Sequence, residues 1–239
     1  MDWTNEDARR QALAKLSRDE IRPLVEAVPT AELLEIGRAS IAKLGVYELS
    51  LVNEERIKGK LRGPERIRAV VREAPKAARL EFVEGPAKGR KVLYNAELRR
   101  EEMRVREPGL LGVAGGIWLR LDNPLAKADS LHPVTDIGFG PLLGQLAKDL
   151  ERSTPYGGHA RRDLGFDGDG HWVIEFTAPS GVSGLDAERA KLTIDLAVGL
   201  PAAIEAFDAR GLLERHRYTL VRQNITAPPG FFEPKAFGV

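Results

Sequence analysis

Apolar and polar residues alternate in short segments between residues 44 and 153. Five such segments lie at 47–51, 67–71, 79–82, 91–94 and 103–105, and a sixth follows at 117–121. Side chains of a strand point alternately to its two faces, so each segment predicts a strand with one apolar and one charged face. The short, closely spaced segments favour an antiparallel meander over a parallel sheet with intervening helices.

Helical periodicity replaces this alternation in two parts of the chain. Before residue 45 we expect three short helices, the second with Pro23 in its first turn and the third with Thr30 as its N-cap. In the middle of the chain, apolar residues recur at positions 139, 142, 143, 146, 147 and 150, the spacing of an amphipathic helix. Further alternating segments lie at 172–176, 192–196 and 218–221, with a strand–turn unit at 201–211. The tail at 227–234 is expected to pack through its phenylalanines.

These elements divide the chain into two predicted parts. Residues 1–45 form an N-terminal helical segment that packs on the sheet, and residues 46–239 form a single curved antiparallel sheet with a central helix at 138–152. The apolar face of such a sheet covers either a core filled by its own side chains or an apolar pocket. Aromatic residues recur on several strands and helices accompany the sheet, so we favour the pocket.

Composition narrows the classes of partner. The 239 residues include 36 basic and 35 acidic ones, and the two signs are interleaved, so we expect no nucleic-acid partner. There is no cysteine, which excludes disulfides, thiolate metal sites and cysteine nucleophiles. No segment approaches the roughly 20 apolar residues of a membrane span. The start lacks a signal peptide, so we expect either a cytoplasmic protein or an exported one without its signal.

Local motifs of catalysis are missing from the sequence. The four histidines, at positions 132, 159, 171 and 216, have no metal-ligand spacing, and Ser183 lacks the preceding glycine of a nucleophile elbow. The glycine-rich stretch at 108–116 lacks the phosphate-binding pattern and is interpreted as an apolar loop. The acidic stretch at 166–170 lacks the ligand set of a calcium loop and is interpreted as a hairpin turn. We therefore predict no enzyme, no cofactor and no metal site.

Several short segments carry a family resemblance. They are 51–57, 59–61, 64–65, 80–82, 89–94, 122–126 and 132–138, the last reading His-Pro-Val-Thr-Asp-Ile-Gly. In these segments the chain resembles a bacterial family known only as a domain of unknown function, related to the LolA/LolB lipoprotein-carrier superfamily. The resemblance covers residues 44–153 best. The segment at 218–224, followed by Phe232 and Pro234, is similar to the closing strand and tail of LolA-like chains.

This resemblance implies an α+β, LolA-like fold. In that fold a strongly curved antiparallel sheet, or half-barrel, wraps around a helical lid with an apolar cavity between them. The wider superfamily carries acylated or otherwise lipophilic cargo, or senses it, in the cell envelope. The motif residues of the family have no assigned chemistry that transfers to this chain. The N-terminal helical extension is longer than in a minimal carrier, and the export signal is missing here.

We predict a periplasmic protein that binds or transports a lipophilic, acyl-chain-bearing ligand in the half-barrel cavity. Its expected partners are lipid or lipoprotein acyl chains, a membrane-bound donor or acceptor protein, and the membrane itself in transient contact. Outer-membrane anchoring of the full-length protein stays open. Arg90 and Lys91 are expected at the rim as contacts for an anionic headgroup, with solvated surface as the alternative. The predicted cavity lining is Tyr47, Leu49, Leu51, Leu80, Phe82, Val92, Tyr94, Trp118, Phe139, Leu142, Leu143, Leu146, Ile174 and Phe176.

Two other functions remain open on the sequence. An envelope sensor or scaffold would use the same fold for protein–protein interaction, with its cavity filled by its own side chains and an apolar patch exposed elsewhere. A hydrolase of envelope lipids or glycans would need titratable groups that converge in a cleft, which no local motif supplies.

Overall fold

The computed structural model describes residues 3–109, 115–125, 128–185 and 187–239. In these ranges the α-helices are α1 (Glu6–Lys15), α2 (Arg18–Glu26), α3 (Thr30–Ala42), α4 (Phe139–Ser153) and α5 (Pro234–Phe237). The β-strands are β1 (Val46–Ile57), β2 (Lys60–Arg72), β3 (Ala77–Glu84), β4 (Lys91–Asn95), β5 (Glu102–Arg106), β6 (Ile117–Arg120), β7 (Ala160–Phe166), β8 (Trp172–Thr177), β9 (Arg189–Asp195), β10 (Leu200–Asp208) and β11 (Gly211–Arg222).

The chain divides into two compact units. The first unit comprises Met1–Lys43 and Leu143–Leu213, and its strands pair in the order β10, β9, β8, β7. The second unit comprises Leu44–Leu142 and Glu214–Val239, and its strands pair in the order β6, β5, β4, β3, β2, β1, β11. All of these pairings are antiparallel, as the short spacing between the alternating segments predicts.

Helix α2 of the first unit begins with a capping box. The Ser17 N–H donates to Glu20 Oε2 at 2.8 Å, and the Glu20 N–H donates to Ser17 Oγ at 3.4 Å. This box starts the helix at Arg18, so the prediction that Pro23 lies in the first turn is wrong. Thr30 is the first residue of α3 rather than its N-cap, because the preceding proline holds the extended backbone of the cap position.

The first unit has one apolar core, built by α2, α3 and α4 against β8 and β9. Trp172, Ile174 and Phe176 supply its centre from alternate positions of β8 and are 2% exposed or less. Arg9 reaches into this core from α1, and its guanidinium donates to the backbone oxygens of Trp3 and Leu196 at 2.7 and 3.1 Å. A buried charge is tolerated there because backbone oxygens accept its hydrogen bonds.

The register of the second unit gives its sheet two distinct faces. One row of Cα partners runs through Leu49, Ala69, Leu80, Val92 and Val105 across β1 to β5, and all five are buried. Because alternate residues point to opposite faces, this row belongs to an apolar face that excludes water.

The C-terminal tail covers part of the other face of this sheet. Phe232 and Phe237 pack with Ala77 and Leu93 in a small apolar cluster. The Arg79 guanidinium lies 4.3 Å from the centroid of the Phe237 ring, close enough for a cation–π interaction. The prediction that the tail packs through its phenylalanines is therefore confirmed.

The predicted fold class is confirmed: the chain has an α+β fold in which a curved antiparallel sheet is combined with helices. The first five alternating segments form β1 to β5, and the predicted central helix is α4. The loop expected at 108–116 includes residues 110–114, which lie outside the described residues. Across the described ranges, no helix combines the length and hydropathy that crossing a bilayer requires.

Candidate functional site

The first unit encloses an apolar cavity bounded by α3, α4, β8 and β9. Four residues of the predicted cavity lining meet here: Leu143, Leu146, Ile174 and Phe176. The cavity has a volume of about 20 Å³, which is the space of one water molecule. Its lining residues are aliphatic, aromatic or small: Thr30, Leu33, Leu34, Gly37, Leu143, Leu146, Ile174, Phe176, Leu192, Ile194, Gly199 and Pro201.

A glycine on α3 determines how tightly this cavity closes. A Cβ atom at Gly37 would overlap Cδ1 of Leu143, so the missing side chain lets Leu143 pack directly on the helix backbone. Leu143 is 4% exposed and occupies space that would otherwise be open. Displacement of this one side chain is therefore the smallest movement that enlarges the cavity.

In the second unit, most of the predicted lining residues share the apolar face of the sheet. Phe139 stacks on Tyr47 with ring centroids 5.5 Å apart, so the first residue of α4 covers this face. Leu142, one turn further along α4, is half-buried. The predicted residues on the apolar face itself are Tyr47, Leu49, Leu51, Leu80, Phe82, Val92 and Tyr94.

Trp118 points to the opposite face of this sheet. Its Cα partner on β5 is Arg104, whose own partner on β4 is Leu93, a residue of the face under the C-terminal tail. The Arg99 guanidinium lies 4.5 Å from the ring centroid of Trp118. The sequence places Trp118 in an alternating segment, but only the strand register decides which face it takes.

A polar network of Tyr47, Glu73 and Lys76, here called the α4-start network, holds the beginning of α4. The Tyr47 hydroxyl donates to Glu73 and accepts the Phe139 N–H at 3.1 Å. Glu73 also accepts the Gly140 N–H at 3.1 Å, which places a carboxylate at the helix N-terminus where the helix dipole favours negative charge. Lys76 Nζ lies 2.8 Å from Glu73 Oε2 and balances its charge.

Gly138, the last residue of the family-like segment at 132–138, makes this network possible. Its φ is +108°, and a Cβ atom there would lie 2.6 Å from both Tyr47 Oη and Glu73 Oε1. Only glycine fits both the backbone conformation and the close approach of two polar atoms. Burial and the neighbouring Glu73 charge raise the pKa of Tyr47, so its hydroxyl keeps the proton that it donates.

An open groove of about 760 Å³ lies beside the α4-start network. It has the volume of a small-molecule site, but its walls combine charged, polar and apolar groups. Tyr94 forms part of the wall and donates its hydroxyl to the Arg100 backbone oxygen at 3.0 Å. The groove can therefore accommodate a polar group, in contrast to the apolar cavity of the first unit.

The two residues expected at a headgroup rim are paired inside the second unit. Arg90 Nε lies 2.9 Å from Glu107 Oε1, and its Nη2 lies 3.4 Å from Asp129 Oδ2. Although burial lowers it, these two acids raise the pKa of Arg90. Lys91 Nζ lies 3.2 Å from Glu81 Oε1. An anionic headgroup would have to compete with these carboxylates for either cation.

Sequence reasoning missed a buried cluster of histidines and glutamates in the second unit. It consists of Glu55 on β1, Glu214 and His216 on β11, and His132 in the loop before α4. His132 Nε2 lies 2.5 Å from Glu214 Oε2, and His216 Nε2 lies 3.3 Å from Glu55 Oε1. Although burial opposes it, Asp136 and Glu214 raise the pKa of His132 to about 10.

The signal for this cluster is present in the sequence but weak. Glu214 and His216 are two residues apart on a strand and so share a face. Glu55 comes four residues after Leu51 on β1 and so lies on the same face as Leu51. Motif spacing could not reveal it, because the cluster joins residues that are distant along the chain. The neighbouring Glu54 lies on the other face of the strand, and its Oε1 is 3.5 Å from Arg215 Nη1.

The chain is similar, at low identity, to several proteins of known structure. A LolA superfamily protein from Nitrosomonas europaea is 12% identical, with 88% of this chain and 100% of that chain covered and a TM-score of 0.40. Lipoprotein LppX of Mycobacterium tuberculosis is 14% identical, covering 83% of this chain and 98% of that chain at a TM-score of 0.44. A chain of the Pseudomonas aeruginosa MucA/MucB complex is 15% identical, covering 78% and 56% at a TM-score of 0.40.

Comparison with models of protein families gives a match over most of the chain. A search of curated proteins returned no match to this chain. The model of one protein family, described as "Protein of unknown function (DUF1571)", matches residues 45–235. This match confirms the predicted resemblance to a family known only as a domain of unknown function. It includes most of the chain, so the protein belongs to the DUF1571 family.

Proposed function

We propose that this protein binds a lipophilic, acyl-chain-bearing ligand in the apolar cavity of the first unit. The observation that carries this proposal is the chemistry of the cavity lining, in which Thr30 is the one polar side chain among the described lining residues. Such a surface offers a headgroup no hydrogen-bond partners, whereas it suits hydrocarbon. A polar substrate would be disfavoured there for the same reason.

The cavity must enlarge before it admits an acyl chain, because its present volume is about 20 Å³. Burial of methylene groups contributes about 0.8 kcal/mol each, so a sixteen-carbon chain provides roughly 13 kcal/mol before entropy losses. Leu143 and its neighbours in the lining would have to move, and the free energy of burying the chain would offset the cost of that repacking. The ligand itself would therefore stabilise the enlarged cavity, and the ligand-free protein would keep it closed.

Envelope localisation follows from the same proposal. A carrier of acyl chains acts between membranes, so we place this protein in the periplasm, with a membrane-bound donor or acceptor as its partner. The LolA-like resemblance of the sequence supports this location. We propose no catalytic role for the protein.

A second function, that of an envelope sensor or scaffold, is favoured by the small size of the cavity. In this reading the first unit is a filled core, and the protein acts through contacts with another protein. Large apolar side chains on the surface would supply those contacts; Ile117 and Leu125 are 58% and 71% exposed. Lipid binding separates the two functions, because a filled core takes up no acyl chain.

Titration with a fluorescent sixteen-carbon fatty acid tests the proposal. Leu146→Asp introduces a charge into the cavity and should abolish binding, whereas Leu125→Asp, the same change at an exposed position, should leave binding unchanged. Circular dichroism shows whether each variant is folded. If Leu146→Asp does not fold, Leu146→Asn provides a polar change without charge. Equal binding by a folded cavity variant and by the wild type would exclude this cavity as the site.

A further inference from the structure

The cluster of Glu55, His132, Glu214 and His216, here called the His/Glu cluster, brings two buried carboxylates face to face. Glu55 and Glu214 are directly opposite each other in the pairing of β1 with β11. They are only 5% and 7% exposed. Like charges at opposite positions of a sheet destabilise it, and burial increases the cost. A sheet that keeps both carboxylates in this place therefore requires positive charge beside them; the raised pKa of His132 supplies one such charge next to Glu214, and a bound cation would supply charge to both carboxylates.

The two imidazole rings direct their Nε2 atoms toward these carboxylates. His132 Nδ1 lies 3.7 Å from Asp136 Oδ2, and His216 Nδ1 lies 3.2 Å from Tyr218 Oη. The hydrogen bond with Tyr218 orients the His216 ring and leaves its Nε2 for the cluster, which is the usual arrangement around metal-binding histidines, and Asp136 lies at ion-pair distance from the corresponding atom of His132. Glu55 is oriented too, since its Oε2 accepts the Leu131 N–H at 2.8 Å.

One nitrogen of the cluster is left without a hydrogen bond. His216 is 8% exposed, and its Nε2 is a buried atom with no hydrogen-bond partner. It lies 3.3 Å from Glu55 Oε1 and 3.8 Å from Glu214 Oε2, but neither contact has hydrogen-bond geometry. A buried polar atom without a partner is rare in a native protein, and here it points at two carboxylates.

We propose that the His/Glu cluster is a binding site for a divalent transition-metal ion, with zinc the best match. Its ligands would be His132 Nε2, His216 Nε2 and Glu214 Oε2. Glu55 Oε1, which lies 3.3 Å from His216 Nε2, would move in as the fourth ligand. Metal binding would displace the proton that His132 carries beside Asp136 and Glu214, so that two carboxylates and two neutral imidazoles balance the charge of a divalent ion. Calcium and magnesium prefer oxygen ligands alone, so the two ring nitrogens favour zinc.

The observed distances fit this assignment. The ligand atoms of His132, Glu214 and His216 all lie within 4.8 Å of one another. Around a tetrahedral zinc ion with bonds of roughly 2.0–2.2 Å, neighbouring ligand atoms are roughly 3.3 Å apart. The contacts of 2.5, 3.3 and 3.8 Å bracket that value, so small rotations of the side chains suffice. The ion would tie β1, β11 and the loop before α4 together.

Another group of acidic and histidine side chains provides a matched control. Asp167, Asp169 and His171 lie in the turn between β7 and β8 of the first unit. This turn is stabilised by its own hydrogen bonds, since Asp167 Oδ1 accepts the N–H groups of Asp169 and His171. None of the three residues is buried. His171→Ala therefore removes a histidine from an exposed group of similar composition.

Calorimetric titration with zinc, after dialysis of the protein against a chelator, tests the proposal. The wild type and His171→Ala should bind one equivalent, and zinc should raise their unfolding temperature. His132→Ala and His216→Ala should bind at least tenfold more weakly and lose the thermal shift. Tyr218→Phe, which removes the group beside His216 Nδ1, should weaken binding by about tenfold.

Cobalt provides a second readout of the same site. Cobalt bound to the wild type should give the visible spectrum of a nitrogen- and oxygen-ligated ion, and Glu55→Gln should change that spectrum. If His216→Ala does not fold, His216→Gln takes its place. The proposal is overturned if the wild type binds no stoichiometric zinc. It is equally overturned if His171→Ala abolishes binding while folded variants of His132 and His216 retain it.

Discussion

The apolar cavity of the first unit and the His/Glu cluster of the second unit differ in the chemistry that they bury. In the first unit, the cavity around Leu143 and Ile174 is apolar and nearly filled. In the second unit, the apolar face of β1 continues beyond Leu51 into Glu55, which meets Glu214 and His216. Apolar residues tolerate any close-packed arrangement, whereas buried charges require particular partners. The comparison teaches that the cavity of the first unit depends on close packing alone, while the cluster of the second unit depends on fixed polar contacts.

The largest expected effect concerns the packing of the first unit. Leu143→Ala and Ile174→Ala should each lower the free energy of unfolding by about 2–5 kcal/mol, because each removes a buried side chain and leaves a cavity. Leu125→Ala, at an exposed position, should change it by less than about 0.5 kcal/mol. Denaturant unfolding measures all three. A loss below about 1 kcal/mol at both buried positions would show that the first unit is loosely packed.

The next effect tests the fixed contacts of the second unit. Gly138→Ala should lower the free energy of unfolding by about 1–3 kcal/mol, because an alanine there is strained and displaces Tyr47 and Glu73. Gly168→Ala is the control, since a Cβ at Gly168 meets no atom within 4 Å. Equal stability of the two variants in thermal unfolding would show that the α4-start network is dispensable.

Removal of the Tyr47 hydroxyl is a smaller change to the α4-start network. Tyr47→Phe should lower the free energy of unfolding by about 1–2 kcal/mol, because it leaves the buried Phe139 N–H without its acceptor. Tyr156→Phe, at a side chain exposed to solvent, should have no measurable effect. If Tyr47→Phe, like Tyr156→Phe, unfolded at the same denaturant concentration as the wild type, the Tyr47 hydroxyl would not contribute to the stability of the second unit.

The smallest effect concerns an ion pair on the strands of the first unit. Glu175 lies 2.7 Å from Arg162 and 2.9 Å from Arg189, and despite its burial these two arginines hold its pKa below the usual 4.5. A carboxyl whose pKa is lower in the folded state stabilises the fold above its unfolded pKa and loses that contribution as the pH falls through the folded pKa.

Glu175→Gln should therefore cost less than about 1 kcal/mol at neutral pH, because both arginines are partly exposed to solvent. The difference from the wild type should shrink as the pH falls below 4.5. Denaturant unfolding at a series of pH values between neutral and acidic measures it. A difference that grows toward acidic pH would contradict the direction of the pKa shift.

Much of the fold follows from local patterns in the sequence. Tyr47 and Leu49 alternate with polar residues in β1, as Leu80 does in β3, so these three fall on the correct face without knowledge of the pairing. The amphipathic spacing of α4 likewise identifies Leu143 and Leu146 as buried. The start of α2 is harder to predict from the sequence, because a proline such as Pro23 is typical of the first turn of a helix. The capping box of Ser17 and Glu20 begins this helix earlier, at Arg18.

The remaining features depend on contacts between distant residues. Trp118 takes the opposite face because Arg104 is its partner across the strands, a register that no local pattern determines. The His/Glu cluster joins His132 to His216, and Glu73 caps α4 from the end of β2. Side chains separated by so many residues leave no spacing motif, so only the folded chain shows them together.

Native mass spectrometry of the purified wild-type protein, followed by extraction and lipid analysis, tests the central claim most directly. We expect a stoichiometric lipid adduct, which delipidation removes and which incubation with phosphatidylethanolamine and phosphatidylglycerol vesicles restores. The extracted molecule would identify the headgroup and the chain length of the ligand. A lipid-free mass that stays unchanged after incubation with these vesicles would contradict the account and support a filled core.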